Sequence, residues 1–591
     1  MKTTHVSLRK IRSQLLAALL PLMAGWNAVT VRAADPRLDS WFTANSGKYA
    51  RVYTNDANKT SGTSLTTWGN GSQNQTLPAY AGVQEIYSSP TWVYIRSTGL
   101  GSHIMGPWLN GAFPNLPKNQ KVFYRIPRTP ATNGTHTLTG LGAIGYFVDG
   151  VAMFDSRDGF VWTGAAESGN GTGYWNREAY VNEGATFDPG YAHQEQSGTH
   201  HYHANPVALR YLLGDHVDYN AATKTYSEST NAVTKHSPIL GWVRDGYPVY
   251  GPYGYAVSNN DSSGVRRMLS GFQLRNGTRN TDNLTTAGRT TIPQWAVRAY
   301  GVASSQSGPA VSTTYPLSRY MEDNAFLGDL GYVMGTDFDL DEYNGRWCVT
   351  PEFPTGTYAY FVSISSNGTP VYPYNIGRSY YGAPSGTAVT TLTESVTTNF
   401  VGGAGAPPSL SKPAVGGGRV TLVWSANEGG MYRVESTTNF TTWATNATNI
   451  AASGNTGRYT NSSTAAGLGF YKVARTALAT YDLVTGTPGG GTGILIVSPA
   501  SGARGTTFTL TINLDSTVNP PPANAPINSV TIGSITGTGN VHVSQTQVTS
   551  SITIAAGTAP GSQTVTVIFP GPPGNPTATV TYTLPNGFTI N

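Results

Sequence analysis

Apolar and polar residues alternate along much of the last hundred residues, with the two-residue period of a half-buried β-strand. Residues 508–514, with the sequence FTLTINL, are the clearest example. Shorter runs of the same kind recur between turn-forming residues, at 530–532, 551–554, 564–567 and 577–582. Short strands at this spacing predict an immunoglobulin-like β-sandwich over residues 494–591.

A smaller β module is predicted at residues 419–476. Its apolar runs are short and strand-like, and the module resembles the small fibronectin-like repeats of exported bacterial proteins; the runs lie at 419–424, 432–434 and 470–473. Segments rich in glycine and proline flank it at 402–418 and 477–493. Such composition does not hold a packed element, so we predict that both segments are flexible linkers.

The large N-terminal region, residues 34–401, is also predicted to be mostly strand and turn, with one or two short helices. Strand-like apolar runs occur at 143–148 and 358–364. One helix is predicted at 207–213, with Asn205 as its cap and Pro206 in its first turn. A second helix is predicted at 316–327. The fold class is therefore mainly β.

Residues 1–33 are predicted to be a signal peptide. They combine a basic start, a short apolar core and small residues before Ala33 or Ala34, where cleavage is expected. This predicts a secreted or cell-surface protein, and no later stretch approaches the roughly 20 apolar residues of a membrane span. The segment holds five basic and no acidic residues, so its removal leaves 31 of each. Such a balanced chain excludes nucleic acid as an expected partner.

Histidine is concentrated in one part of the sequence. Six of the ten histidines lie between residues 193 and 236, and three of them fall within the motif HHYH at 200–203. Histidine binds transition metals and transfers protons near neutral pH. If this motif is extended, His201 and His203 point to one side, with Tyr202 on the other side and His200 beside it.

Two imidazoles on one side of a strand favour a transition-metal site completed by ligands from elsewhere. The predicted metal ligands are His193, His200, His201, His203 and His236. Further residues are predicted to orient these ligands or to replace one of them: Asp188, Tyr202 and Asp245. Nitrogen ligands favour zinc or copper over calcium. The alternative is that these histidines only make ordinary hydrogen bonds. No organic cofactor is predicted.

Several motifs in order resemble the YHYH-domain family of exported proteins. They are HYHANP at 201–206, HSPILGW at 236–242, DGYPVYGPYG at 245–254 and LDEYNGR at 340–346, with further matches at 142–151, 351–362 and 372–377. The resemblance covers most of residues 100–380. One departure is His200, which stands where the motif has its first tyrosine. The family implies no settled activity, so the resemblance supports a domain without supplying a reaction.

Three functions remain open on these grounds. The leading interpretation is an exported protein whose YHYH-type domain binds a transition metal, followed by adhesive or spacer modules that contact an extracellular or cell-surface polysaccharide. The second is a secreted metal-dependent hydrolase or oxidoreductase, which requires a solvent-reaching pocket beside the histidines. The third is an adhesive surface protein that binds carbohydrate without a metal. Whether the protein is an enzyme is left open.

Overall fold

The computed structural model describes residues 35–70, 73–108, 115–169, 171–461, 470–478, 494–514, 525–544, 546–570 and 579–591. Strands and turns dominate these residues, and the predicted mainly β fold class is confirmed. The predicted signal peptide and most of the second linker, 477–493, lie outside the described residues, so those two assignments stay predictions. The domain boundaries also stay predictions.

An eight-stranded mixed sheet organises the N-terminal region. In chain order its strands are β1 (Gly145–Phe147), β2 (Ala152–Met153), β3 (His193–Gln194), β4 (His200–Tyr202), β5 (Ile239–Val243), β6 (Pro248–Tyr250), β7 (Gly345–Cys348) and β8 (Thr357–Phe361). Their order across the sheet is β3-β4-β2-β1-β5-β6-β8-β7. The histidine-bearing strands β3 and β4 therefore lie together at one edge.

The largest apolar core packs against this sheet. Strand β5 is buried along its whole length, and its Trp242 has no exposed surface. Burial of one such side chain stabilises the fold by about 1.5–3 kcal/mol. Strand β1 approaches β5 closely at Gly145, where a Cβ atom would lie 2.4 Å from the carbonyl oxygen of Trp242. Glycine at this position therefore allows the central strands to pair.

A five-stranded sheet and several hairpins surround this core. The five-stranded sheet has the order Thr387–Ala388, Val122–Pro127, Trp92–Ser97, Val83–Ser88 and Thr397–Val401. The smaller sheets pair Arg157–Trp162 with both Glu167–Gly169 and Trp175–Glu178, Val217–Asn220 with Thr225–Glu228, Tyr253–Val257 with Asn260–Arg267, Phe272–Leu274 with Asn324–Phe326, Arg51–Val52 with Ile104–Met105, and Trp68–Asn70 with Gln73–Gln75.

Within the described residues there are six α-helices, more than the one or two predicted, and all are short. They are Pro36–Asp39, Asp56–Ser61, α1 (Ala179–Glu183), α2 (Val207–Leu212), Leu284–Ala287 and Gln294–Tyr300. Single 3₁₀ turns occur at Gly184–Thr186, Met321–Asp323, Leu327–Leu330 and Gly403–Gly405.

One helix prediction was nearly right and the other was wrong. Helix α2 is capped at Pro206 rather than at Asn205, whose side-chain oxygen accepts a hydrogen bond from Arg210 at 3.0 Å instead. The helix predicted at 316–327 is absent. That segment contains only two 3₁₀ turns and the strand Asn324–Phe326, which pairs with Phe272–Leu274. Long-range strand pairing overrode the local helical pattern.

The rest of the chain forms β modules with their own apolar cores. The middle module has two three-stranded sheets. The first has the order Ala414–Gly416, Arg419–Ser425, Thr456–Thr460. The second has the order Ala444–Ala451, Gly430–Thr437, Phe470–Leu478. The C-terminal module is a β-sandwich of a four-stranded sheet (Ile494–Ser498, Thr506–Leu514, Gln547–Ile554, Thr538–Ser544) and a five-stranded sheet (Ser501–Gly502, Thr579–Ile590, Gly561–Pro570, Ser529–Ile532, Ile535–Thr536).

The first predicted linker is more ordered than its composition indicated. Residues Ala414–Gly416 pair with the next strand, and the backbone N–H of Gly402 donates to the carbonyl oxygen of Gln84 at 2.7 Å. Farther on, Glu428 of the middle module forms an ion pair with Arg51 and accepts a hydrogen bond from the backbone N–H of Tyr49 at 2.9 Å. The middle module therefore contacts the N-terminal region through specific polar bonds.

Among the described helices, none has the length and apolar character that crossing a membrane would require.

Candidate metal centre

Strand pairing brings three histidines onto one face of the sheet edge. His193 on β3 lies directly opposite His201 on β4, so the two side chains point to the same side. His203 lies two residues beyond His201 and returns to that side, as the alternation predicted. We call His193, His201 and His203 the open cluster. All three are buried, with only 2–3% of their surface exposed.

The ring nitrogens of the open cluster converge. One nitrogen of each residue lies within 4.8 Å of one nitrogen of the other two. The Nε2 atoms of His201 and His203 are only 3.0 Å apart. Nitrogens that share one metal ion at about 2.0–2.1 Å lie roughly 3 Å from each other, so this geometry fits coordination.

Each histidine of the cluster has a hydrogen-bond acceptor at its Nδ1 atom. His201 Nδ1 lies 2.8 Å from the carbonyl oxygen of Thr199, and His203 Nδ1 lies 2.6 Å from that of Asp155. His193 Nδ1 lies 2.9 Å from the hydroxyl oxygen of Thr186, whose own proton is donated to the carbonyl oxygen of Glu183. For His201 and His203 these acceptors place the ring proton on Nδ1, so that each Nε2 atom carries a lone pair.

Burial keeps these imidazoles neutral. Desolvation, followed by the repulsion between neighbouring rings, lowers the pKa of His193 and His201 well below the usual value. Desolvation also lowers the pKa of His203, although its hydrogen bond to Asp155 opposes this. The neutral imidazoles of His201 and His203, whose Nε2 lone pairs face each other at 3.0 Å, repel one another unless a cation lies between them. The open cluster is therefore suited to hold a metal ion.

Sequence reasoning missed Glu183, a carboxylate beside the open cluster. Its Oε2 atom lies 3.5 Å from His203 Nε2 and 3.7 Å from His193 Nε2. Burial, with a contribution from Asp158, raises the pKa of Glu183 to about 8, and Arg177 opposes the rise. Glu183 ends helix α1, which we did not predict, and it belongs to no recognisable motif. Nothing in the sequence singled it out.

The open cluster lines a large pocket. The cavity measures about 950 Å³, and its wall includes the three histidines, Glu183 and Arg157. Leu141 and Phe160 also line it and are 56% and 43% exposed, so the cavity reaches solvent. A ligand or a water molecule therefore has access to the histidines. This meets the structural requirement that we set for a metal-dependent enzyme.

His200 points to the opposite face of β4 and belongs to a second group. We call His103, Asp188 and His200 the closed cluster, because the wall of the large pocket includes none of them; only Asp188 lines a smaller pocket, of about 500 Å³. One potential ligand atom of each lies within 4.8 Å of those of the other two. His200 was a predicted ligand and Asp188 a predicted orienting residue or alternative ligand, whereas His103, about 90 residues earlier in the chain, was missed.

The other predicted residues do not reach the open cluster. Tyr202 packs edge-on against Phe147 and lies beside the closed cluster, with its ring centroid 6.0 Å from that of His200 and 6.4 Å from that of His103. Asp245 accepts hydrogen bonds from the Tyr360 hydroxyl at 2.6 Å and from the backbone of Gly382 at 3.0 Å.

His236 Nδ1 is hydrogen-bonded to the carbonyl oxygen of the next residue, Ser237. The His236 ring lies among Tyr250, Tyr255 and Phe361. The structure therefore does not bring His236 or Asp245 to either cluster.

Comparison with known proteins agrees with the resemblance seen in the motifs. Residues 123–372 match the family model described as YHYH protein. This chain contains a YHYH domain. The matched segment includes both histidine-bearing strands and Glu183, whereas His103 precedes it. No curated protein matches the chain significantly.

Proposed function

We propose that this is an exported protein whose YHYH domain binds one transition-metal ion through His193, His201 and His203. Zinc and copper are the metals that suit a set of three neutral imidazoles. Glu183 is close enough to act as a further ligand or to bond to a ligand of the ion. The side of the cluster that faces the pocket stays accessible.

One observation carries this proposal. The Nε2 atoms of His201 and His203 face each other at 3.0 Å while the Nδ1 atom of each ring is bonded to a carbonyl oxygen. Two such rings have no proton left to share between their Nε2 atoms. A metal ion satisfies both lone pairs, and the acceptors on the opposite nitrogens hold the rings in the orientation that an ion needs.

Metal analysis of the purified protein tests the proposal. We expect wild-type protein to retain zinc or copper after exhaustive dialysis, and the double variant His201→Ala/His203→Ala to lose one equivalent. His136→Ala is the matched control, because His136 lies in the same region and bonds to the carbonyl oxygen of Tyr380. Equal metal content in wild type and the double variant would contradict the proposal.

A second function, a metal-dependent hydrolase or oxidoreductase, is favoured by the pocket of about 950 Å³ beside the open cluster. A zinc site with an accessible position supplies an activated water near neutral pH, whereas a copper site supplies redox chemistry. The identity of the bound metal therefore separates the two reaction classes.

The enzyme proposal is tested with Glu183→Gln. We expect this variant to keep at least most of the metal but to lose turnover of whichever ester, amide or oxidisable substrate the wild type converts in a broad screen. Glu195→Gln is the matched control, since Glu195 also lines the pocket but bonds to Ser197 and Thr199. Full activity of Glu183→Gln, or no turnover by metal-loaded wild type, counts against an enzyme of this design.

We also propose that the C-terminal modules act as adhesive or spacer modules that contact an extracellular or cell-surface polysaccharide. Two features support this role: each module has its own apolar core, and neither metal-ligand cluster found among the described residues lies in them. The test is co-sedimentation of the full chain with insoluble polysaccharides, with and without chelator. Binding that survives chelation and the His201→Ala/His203→Ala change supports the modules as the contact, and also favours the carbohydrate-binding alternative.

Export is tested by the N-terminus of the mature protein. The predicted signal peptide at residues 1–33 supports a secreted or cell-surface location. We expect the protein recovered from the culture medium or the cell surface to begin near Ala34. A protein that keeps Met1 and stays inside the cell would contradict export without affecting the metal proposal.

A further inference from the structure

The closed cluster lies on the face of β4 opposite to the open cluster. His200 reaches it from β4, Asp188 from the turn before β3, and His103 from the segment that precedes the residues matched by the family model. His103 Nε2 lies 3.6 Å from Asp188 Oδ2. Two histidines and one aspartate at this spacing are a set of ligands that zinc binds in proteins.

The imidazoles of the closed cluster lack the hydrogen bonds that buried imidazoles need. Apart from the 3.6 Å contact between His103 Nε2 and Asp188, none of the four ring nitrogens of His103 and His200 has a polar partner within hydrogen-bond distance among the described residues. A buried polar group without a partner costs about 1–3 kcal/mol. A metal ion bound to one nitrogen of each ring satisfies two of these four atoms at once.

The carboxylate of the cluster is fixed in place. Asp188 Oδ2 accepts a hydrogen bond from the backbone N–H of Gly106 at 2.8 Å, and Oδ1 accepts from Gly190 at 2.8 Å and from Ala192 at 3.1 Å. These three bonds come from two separate segments of the chain. Asp188 therefore presents a negative charge to the two histidines without being free to turn away.

Close packing limits the movement of His103. A Cβ atom added at Gly190 would lie 2.8 Å from His103 Nε2, and one added at Gly101 would lie 2.9 Å from His103 Nδ1. The ring is thus held between two stretches of backbone. Such confinement is typical of a structural metal site, in which the protein ligands are fixed and exchange with solvent is slow.

We propose that His103, Asp188 and His200 form a second metal site, which binds a divalent transition-metal ion, with zinc as the best fit. This site is separate from the open cluster and does not depend on the function proposed for it. A water molecule can supply a fourth ligand. The ion would join the segment around His103 to β4 and to the turn at Asp188, and so attach residues that precede the family match to the matched region.

Metal stoichiometry separates the two sites. We expect two ions per wild-type chain, one in His103→Gln and one in His203→Gln. His136→Gln is the control and should keep two. An unchanged metal content in His103→Gln, with one equivalent lost in His203→Gln, would overturn this inference and leave the proposed function intact. The reverse pattern would overturn the proposed function alone, and no loss in either variant would overturn both.

A second measurement does not depend on folding of the variants. Crystals of wild-type protein soaked in or grown with zinc should give two anomalous peaks at the zinc edge, one of them between His103, Asp188 and His200. A peak only at the open cluster means that a water molecule occupies the closed cluster, and the inference fails. We also expect a chelator to remove the two ions at rates that differ by at least about tenfold, with the buried ion leaving more slowly.

Discussion

The two faces of strand β4 place histidines in opposite environments. On one face, His201 and His203 each have a carbonyl oxygen at Nδ1, and their Nε2 atoms line a pocket. On the other face, His200 is sealed and neither of its ring nitrogens has a hydrogen-bond partner in the part of the chain that is described. The alternation of side chains along a strand alone therefore places neighbouring histidines in two different environments.

The comparison indicates how the roles divide. A site that exchanges ligands with solvent needs imidazole rings that are hydrogen-bonded at the nitrogen facing away from the ion. The rings then keep their orientation when the ion or its ligand leaves. A site that serves the fold can instead hold its rings by close packing, as around His103, and by the ion itself. The predictions that follow test this division, from the largest expected effect to the smallest.

Asp188→Ala should be the most destabilising change. It leaves the backbone N–H groups of Gly106, Gly190 and Ala192 without their acceptor inside the fold. We expect a loss of about 3–5 kcal/mol in the free energy of unfolding of the N-terminal region. Urea unfolding of metal-depleted protein, followed by circular dichroism, measures it.

The matched control is Glu195→Ala, because this carboxylate also accepts backbone N–H groups but only from its own turn, at Ser197 and Thr199. We expect Glu195→Ala to lower the free energy of unfolding by less than about 1 kcal/mol. Similar losses for the two variants would show that Asp188 has no special part in holding the closed cluster together.

Thr186→Val should weaken metal binding at the open cluster without unfolding the protein. The hydroxyl of Thr186 accepts the Nδ1 proton of His193, and valine has the same shape without that acceptor. Loss of such a partner typically costs about 10–100-fold in metal affinity. Competition with a chromophoric chelator gives the dissociation constant. Thr163→Val is the control, because the Thr163 hydroxyl bonds to the carbonyl oxygen of Ala166. A dissociation constant equal to that of wild type would mean that the ring of His193 is oriented by packing alone.

Much of the fold, but less of the site, could be predicted from the sequence. Alternation in residues 508–514 predicted a strand, and Thr506–Leu514 forms one. Alternation also placed His201 and His203 on one side, since that depends only on neighbouring residues. His103 and Glu183 could not be found this way. They reach the two clusters through long-range packing and a short helix, which leave no periodic signal in the sequence.

The same limit explains the separation of the predicted ligands. His200 and His201 are adjacent in sequence, so proximity along the chain suggested a single site, whereas a strand directs adjacent side chains to opposite faces. His236 was included for its nearness in sequence, yet it lies in the loop before β5, where its ring packs among aromatic side chains. Distance along the chain was a poor guide to distance in space.

Stability of the metal-free protein should fall as the pH is lowered, and His200 should account for part of the slope. Burial lowers the pKa of His200 to about 3, below its value of about 6.5 in an unfolded chain. The unfolded state therefore binds more protons between these values, and the folded state is favoured above pH 6.5. The contribution of His200 to the free energy of unfolding therefore decreases by about 1.4 kcal/mol per pH unit as the pH falls from 6.5 toward 3.

The measurement compares urea unfolding of wild type and His200→Gln between pH 7 and pH 5. We expect the variant to lose stability less steeply, by about 1.4 kcal/mol per pH unit at most. Parallel curves for wild type and His200→Gln would mean that His200 can be protonated in the folded protein, which contradicts the sealed environment assigned to it.

Phe154→Leu should have the smallest effect and should act on one face only. The ring of Phe154 stacks on His201 at 3.8 Å between centroids and lies edge-on to His203 at 5.8 Å. Leucine keeps much of the volume but removes the aromatic contact, which is worth about 0.5–1.5 kcal/mol. We expect metal affinity at the open cluster to fall by about twofold to tenfold.

Phe160→Leu is its control, because that ring lines the same pocket but packs under the guanidinium of Arg177 at 4.7 Å. The decisive measurement is the release rate of the ion proposed for the closed cluster, which should not change in either variant. Phe154 touches the histidines of only one face, and β4 lies between it and His200. If Phe154→Leu also accelerated release of the second ion, the two faces of β4 would be coupled, and the division between an accessible site and a structural one would have to be abandoned.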